Sequence, residues 1–78
     1  MKAIIWSKPT CPYCVMARNL LESKGYDVDY RAVGYGWNTE QLLEAIPNAK
    51  TVPQIFIDGE YIGGYDNLQA HLKAKGEL

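Results

Sequence analysis

Apolar residues fall along this chain in three patterns, and each pattern predicts a different element. Ala3-Ile4-Ile5-Trp6 is an unbroken apolar run that ends at Ser7. That is the signature of a central strand buried on both faces. After a Lys8-Pro9-Thr10 loop, Ala17, Leu20 and Leu21, with Met16 nearby, recur at helical spacing, while Arg18, Glu22 and Lys24 read as solvated. This predicts a helix from Pro12 to about Lys24. Pro12 stands at its first position, which needs no N–H, and Gly25 is a natural stop. Asp27-Val28-Asp29-Tyr30-Arg31-Ala32 alternates polar and apolar residues, which predicts a half-buried edge strand.

Gly34-Tyr35-Gly36-Trp37 is a loop, expected to pack under its own residues. Asn38 or Thr39 can cap a short second helix that turns Leu42, Leu43 and Ile46 inward. Asn38 and Gln41 have the spacing of a loose capping box, and Pro47 ends the helix. Gln54-Ile55-Phe56-Ile57 and Glu60-Tyr61-Ile62-Gly63 flank Asp58-Gly59, a strong hairpin turn. Gly63-Gly64 breaks the second of these strands, and Asp66 can cap a last helix carrying Leu68 and Leu72 and ending near Gly76. The order is therefore β-α-β-α-β-β-α. Its first two strands should be parallel, joined by a right-handed crossover.

Seventy-eight residues, 47% of them hydrophobic and 22% charged, fit one ordered domain spanning residues 1–78 with a limited core. The net charge of −1 argues against a sequence-independent grip on nucleic acid, which needs a basic face. No run approaches the length of a membrane span. Met1-Lys2 leads directly into the first strand, so no secretory leader is expected and the expected compartment is the reducing cytoplasm.

That compartment bears on the two cysteines, Cys11 and Cys14, which form a Cys-Pro-Tyr-Cys quartet at a strand-to-helix junction. A structural disulfide is out of place there. It would also contribute only roughly 2 kcal/mol by closing so short a loop. A closed zinc site wants four ligands, and this chain offers two cysteines and the distant His71. Reversible thiol–disulfide chemistry is the reading that remains.

Cys11-Pro12-Tyr13-Cys14, Thr51-Val52-Pro53 and Gly63-Gly64-Tyr65-Asp66, in this order, resemble the dithiol glutaredoxins over essentially the whole chain. The resemblance implies an α/β minimal thioredoxin fold, with a four-stranded mixed sheet flanked by helices and a cis peptide before Pro53. It implies glutathione-dependent reduction of protein disulfides and glutathione mixed disulfides, with glutathione as reducing co-substrate and no permanently bound cofactor. Client proteins with redox-active disulfides follow, ribonucleotide reductase being a family expectation, and the molecule is expected to act as a monomer. Thioredoxin is a poorer match, because an extra N-terminal strand and helix are missing and Thr10 stands where thioredoxins usually carry tryptophan. Two alternatives stay open. One is a glutaredoxin-like redoxin reduced by thioredoxin reductase, although its typical Trp-Ser-Gly-Phe segment is absent. The other is a glutathione-ligated [2Fe–2S] carrier bridging two chains through Cys11, which a proline after the first cysteine disfavours.

Cys11 precedes the first helical turn, where backbone N–H groups lack partners and the helix dipole favours an anion. An ordinary thiol of pKa ~8.5 is only about 3% ionised at pH 7, and lowering it to roughly 5 requires about 4.8 kcal/mol. The dipole supplies about 0.3–2 kcal/mol. Hydrogen bonds to the sulfur, from the Tyr13 and Cys14 amides, must therefore contribute much of the rest, with Lys8 adding positive charge. Cys11 is the expected attacking thiolate and Cys14, one turn on and deeper, the resolving thiol. Pro12 sets the helix start. Tyr13 is either a substrate contact or a plain surface aromatic. Pro53 faces the cysteines, leaving the Val52 backbone free for strand-like pairing.

By resemblance, glutathione rests on Lys8 at its glycyl carboxylate, with Gln41 the nearest candidate for a second contact there. Val52, within Thr51-Val52-Pro53, pairs with the cysteinyl backbone. Gly64, Tyr65 and Asp66 hold the γ-glutamyl end, with the Asp66 carboxylate near its ammonium.

Overall fold

A computed structural model describes residues 1–77. The elements are β1 (Lys2–Ser7), α1 (Pro12–Ser23), β2 (Asp27–Ala32), α2 (Thr39–Ala45), β3 (Gln54–Ile57), β4 (Glu60–Gly63) and α3 (Tyr65–Ala74). They form a four-stranded sheet in the order β2-β1-β3-β4. β1 runs parallel to β2 and antiparallel to β3, and β3 and β4 form the antiparallel hairpin. The expected mixed α/β order is the one that forms, with β2 at an edge.

Register explains the continuous apolar run of β1. Ile5 lies opposite Tyr30 on one side and Ile55 on the other, and Ala3 opposite Val28 and Ile57. These residues share one face, and with Ala17 and Leu21 of α1 and Leu68 and Leu72 of α3 they make the core. Ile4 and Trp6 point to the opposite face by simple alternation. There the loop after β2 does the covering. Trp37 packs edge-on against Trp6 with ring centroids 5.3 Å apart. The Arg31 guanidinium lies 4.3 Å from the Trp37 ring and 5.2 Å from the Trp6 ring, held from behind by Asp29 at 2.9 Å. The aromatic loop thus packs on the sheet rather than under its own residues, and Tyr35 at its tip is 71% exposed.

The turns use the expected chemistry. Asp58 and Gly59 both have positive φ, 49° and 84°, as a tight hairpin turn of this twist requires. After α1, Gly25 N–H donates to Glu22 O and Tyr26 N–H to Leu21 O, both at 3.0 Å. This is a Schellman motif with Gly25 in the left-handed region, and it brings Tyr26 onto Leu21 in the core.

Three expectations need correction. Met16 and Leu43 are 44% and 40% exposed. Each sits one residue, about 100° of helix turn, from the residue that is buried, Ala17 and Leu42 respectively. The last helix begins at Tyr65, with Gly64 at its N-cap, so Asp66 lies inside the first turn instead of capping it. Gly63 governs this. Its φ is +114°, and a Cβ there would run into the Asn67 side-chain amide.

Candidate active site

Cys11 is the N-cap residue of α1, in extended conformation, and Pro12 follows at the first helical position. The preceding Thr10 has φ +58°, a region that β-branched residues rarely enter. Its hydroxyl donates to Pro9 O at 2.6 Å. This strained turn swings the chain from the end of β1 into the helix, and nothing in the sequence signals it, because threonine gives no hint of a positive φ.

The capping geometry aims the Cys14 amide at the sulfur, and the Tyr13 amide expected beside it makes no such bond. Cys14 N–H donates to Cys11 Sγ at 3.2 Å, the bond an N-cap oxygen would normally accept. Cys11 and Cys14 are joined as a disulfide with Cα atoms 5.3 Å apart. Burial separates the two. Cys11 retains 8% exposure and Cys14 none.

A second backbone segment faces this pair. The Val52–Pro53 bond is cis, and the Val52 carbonyl oxygen lies 4.0 Å from Cys11 Sγ. Gln54 fixes the bend from below. Its side-chain amide donates to Thr51 O at 2.8 Å, and its carbonyl accepts from the Tyr61 hydroxyl.

Beside the bend runs a groove of about 390 Å³ between the start of α1 and the start of α3. Tyr13, Thr51, Val52, Pro53, Gly64, Tyr65 and Asp66 all line it, joined by Asn67, which sequence reasoning did not single out. The Tyr13 and Tyr65 rings stand 5.7 Å apart and bridge the two helices. On the other side of Val52 lies a recess of about 210 Å³ that includes Lys8, Thr39, Leu42, Lys50, Thr51 and Val52. Gln41 is not part of that lining. Its side-chain carbonyl accepts the Asn38 N–H at 2.9 Å while Asn38 Oδ1 accepts the Gln41 N–H at 2.8 Å. The residue expected at the recess instead completes the capping box of α2. Thr39 and Lys50 stand in the recess, and they carried no motif by which a sequence could mark them.

The site is therefore a long trough with charge at both ends. Asp66 lies in the first turn of α3, Lys8 and Lys50 lie in the recess, and the Val52 segment lies between them next to the sulfur. Among the described residues no three metal-ligating side chains converge. Such an arrangement sets opposite charges on either side of a cysteine that retains some exposure.

Comparison with known proteins places this arrangement in context. A profile described as Glutaredoxin matches residues 3–62. Glutaredoxin 3 of Escherichia coli K12 is 46% identical over 76 residues, covering 95% of this chain and 88% of that protein. Among solved structures, reduced Escherichia coli glutaredoxin superposes with a TM-score of 0.80 at 33% identity over the whole of both chains. A buckwheat glutaredoxin–glutathione complex superposes with a TM-score of 0.66 at 27% identity, covering 97% of this chain and 71% of that one.

Proposed function

Because the chain belongs to the glutaredoxin family, and is thus a thiol–disulfide oxidoreductase of thioredoxin fold, we propose that glutathione is its reductant and that glutathione mixed disulfides and protein disulfides are its substrates. The observation that carries this reading is the trough beside Cys11, with Asp66 at one end and Lys8 and Lys50 at the other.

Glutathione complements its charges. The Val52 backbone pairs with the cysteinyl N–H and C=O. The γ-glutamyl end carries an ammonium for the Asp66 carboxylate and a carboxylate for the first-turn amides of α3, which have no partner within the helix. The glycyl carboxylate falls to Lys8, with Thr39 and Lys50 as the neighbours that share its recess. Tyr13 and Tyr65 wall the middle.

In the reduced enzyme the Cys14 N–H and the α1 amide ends stabilise the Cys11 thiolate. That thiolate attacks the glutathione sulfur of a mixed disulfide. The Cys11–glutathione bond forms, the client–glutathione bond breaks, and the client leaves as thiolate to be protonated by water. A second glutathione thiolate then attacks the glutathione sulfur held on Cys11, releasing oxidised glutathione and restoring the Cys11 thiolate. With a protein disulfide, the buried Cys14 resolves the intermediate by attacking Cys11, which gives the disulfide seen in the structure, and two glutathiones reduce it. Cys14 is inaccessible to outside thiols and reaches only its neighbour, so the two sulfurs have separate tasks.

The test compares reductants. The protein, a small disulfide and NADPH are mixed either with glutathione and glutathione reductase or with thioredoxin reductase. NADPH consumption in the first mixture is expected. Turnover confined to the second overturns glutathione dependence and leaves the redoxin reading.

A further inference from the structure

The trough lies on one side of Cys11. On the other side the sulfur opens onto a second groove of about 500 Å³, which shares Lys8 with the recess and includes Cys11, Pro12, Val15, Arg18 and Tyr30. Its walls are largely apolar, and Val15 is 41% exposed there. Among the described residues two cations border it and no acidic side chain does. Arg18 is not spent elsewhere. Among the described residues the ion pair found is Arg31–Asp29, so neither Lys8 nor Arg18 has a carboxylate partner. The Arg18 guanidinium is instead set over the Tyr30 ring, 4.6 Å from its centroid. That contact orients the planar group and leaves its N–H edge free for a bidentate carboxylate.

We propose that this groove seats the polypeptide flank of a client protein, and that it selects clients with acidic residues close to the target cysteine. The proposal rests on the function given above and names the client chemistry that function leaves open. Charge complementarity decides the occupant. The chain as a whole carries −1, so a purely basic groove against the reactive sulfur is a local property that net charge does not supply. A client too large for the trough alone meets the basic apolar groove next, where aliphatic side chains rest on Val15 and Pro12 and a carboxylate reaches Arg18.

The experiment uses the full chain and glutathionylated synthetic peptides whose single cysteine is flanked on both sides by glutamates or by lysines. A small glutathione mixed disulfide without a peptide serves as reference. The glutamate peptide is expected to turn over about fivefold faster (kcat/KM) than the lysine peptide at low ionic strength, with the gap shrinking as salt is added. Arg18→Glu should cancel or reverse the preference and leave the small substrate unchanged. Lys73→Glu, the same charge change on the exposed part of α3, should keep it. Should Arg18→Glu not fold, Arg18→Gln should at least halve the preference. Equal rates for both peptides, or an equal effect from Lys73→Glu, overturn the proposal. So does an equal loss on the small substrate, since the groove would then serve glutathione itself. No turnover of any substrate overturns the proposed function, and this inference with it.

Discussion

The N-termini of α1 and α2 are built on the same plan and end up doing opposite things. At α2, Asn38 caps the Gln41 amide, Gln41 returns the favour to the Asn38 amide, and Glu40 adds a negative charge to the first turn. Those amides are satisfied internally. At α1 the capping atom is the Cys11 sulfur, only the Cys14 amide is engaged by it, and the first turn carries no acidic residue. The electrostatic pull of that helix end is left for whatever charge the sulfur develops. A helix start completed by its own side chains stabilises the fold, whereas one left incomplete around a thiol stabilises a thiolate.

The sharpest way to break this contrast is to remove the sulfur. Cys11→Ser should lower reduction of glutathione mixed disulfides by at least about a thousandfold, because a serine hydroxyl is scarcely ionised at neutral pH. Cys14→Ser should keep that reaction and lose turnover of protein disulfides. Steady-state rates on the two substrate classes check both variants, and an active Cys11→Ser would remove the assigned roles.

Next in size is the acidity itself. Thiolate absorbance followed across pH in the reduced protein should show Cys11 ionising well below the ordinary thiol value of ~8.5, and Cys14 not below it. A single transition near ~8.5 for both would mean that the exposed amides of α1 do not act on sulfur. The capping box should show the opposite balance. Asn38→Ala should cost about 1 kcal/mol in urea unfolding and leave the Cys11 titration where it was. A shift of that titration would show that the two helix starts are coupled.

The smallest effect lies far from both. Tyr26 is buried after α1 and donates to Glu77 Oε2 at 3.2 Å. Burial first, then the hydrogen bond to Glu77 and the negative charges of Glu77 and Asp58, hold its hydroxyl above its ordinary value of 10.0. A folded-state value above the unfolded one means that this contribution is fully present below pH ~10 and is lost as pH rises through the folded value. Stability should therefore decline on the alkaline side, and Tyr26→Phe should flatten that part of the profile. An unchanged alkaline slope would assign the loss to other groups.

Much of the site was legible because it is local. A cysteine before Pro12, a second one turn later, and a loop ahead of them define a helix start wherever they occur. The hairpin at Asp58-Gly59 and the capping box at Asn38 are equally short-range, each written within a few residues. Legibility failed where a residue's role depends on an element distant in sequence. Gln41 has the right chemistry for a carboxylate, yet its nearest neighbour claims it. Thr39 carries only the signal of a helix start and Lys50 none, and both enter the recess because the fold brings α2 and the segment before β3 alongside Lys8. Trp37 covers Trp6 because β1 needs a lid on the face that α1 and α3 leave open.

By itself, then, the order of residues set the element types, the helix-start position of Cys11, and the pairing of two sulfurs one turn apart, since these depend on backbone propensities and spacings of a few residues. Folding alone decided that Lys50 joins Lys8, that Gln41 turns away from the recess, and that Asn67 enters the groove. Those properties come from segments some forty positions apart, Cys11 and Val52 among them, that meet only when the sheet closes and shuts water out from between them.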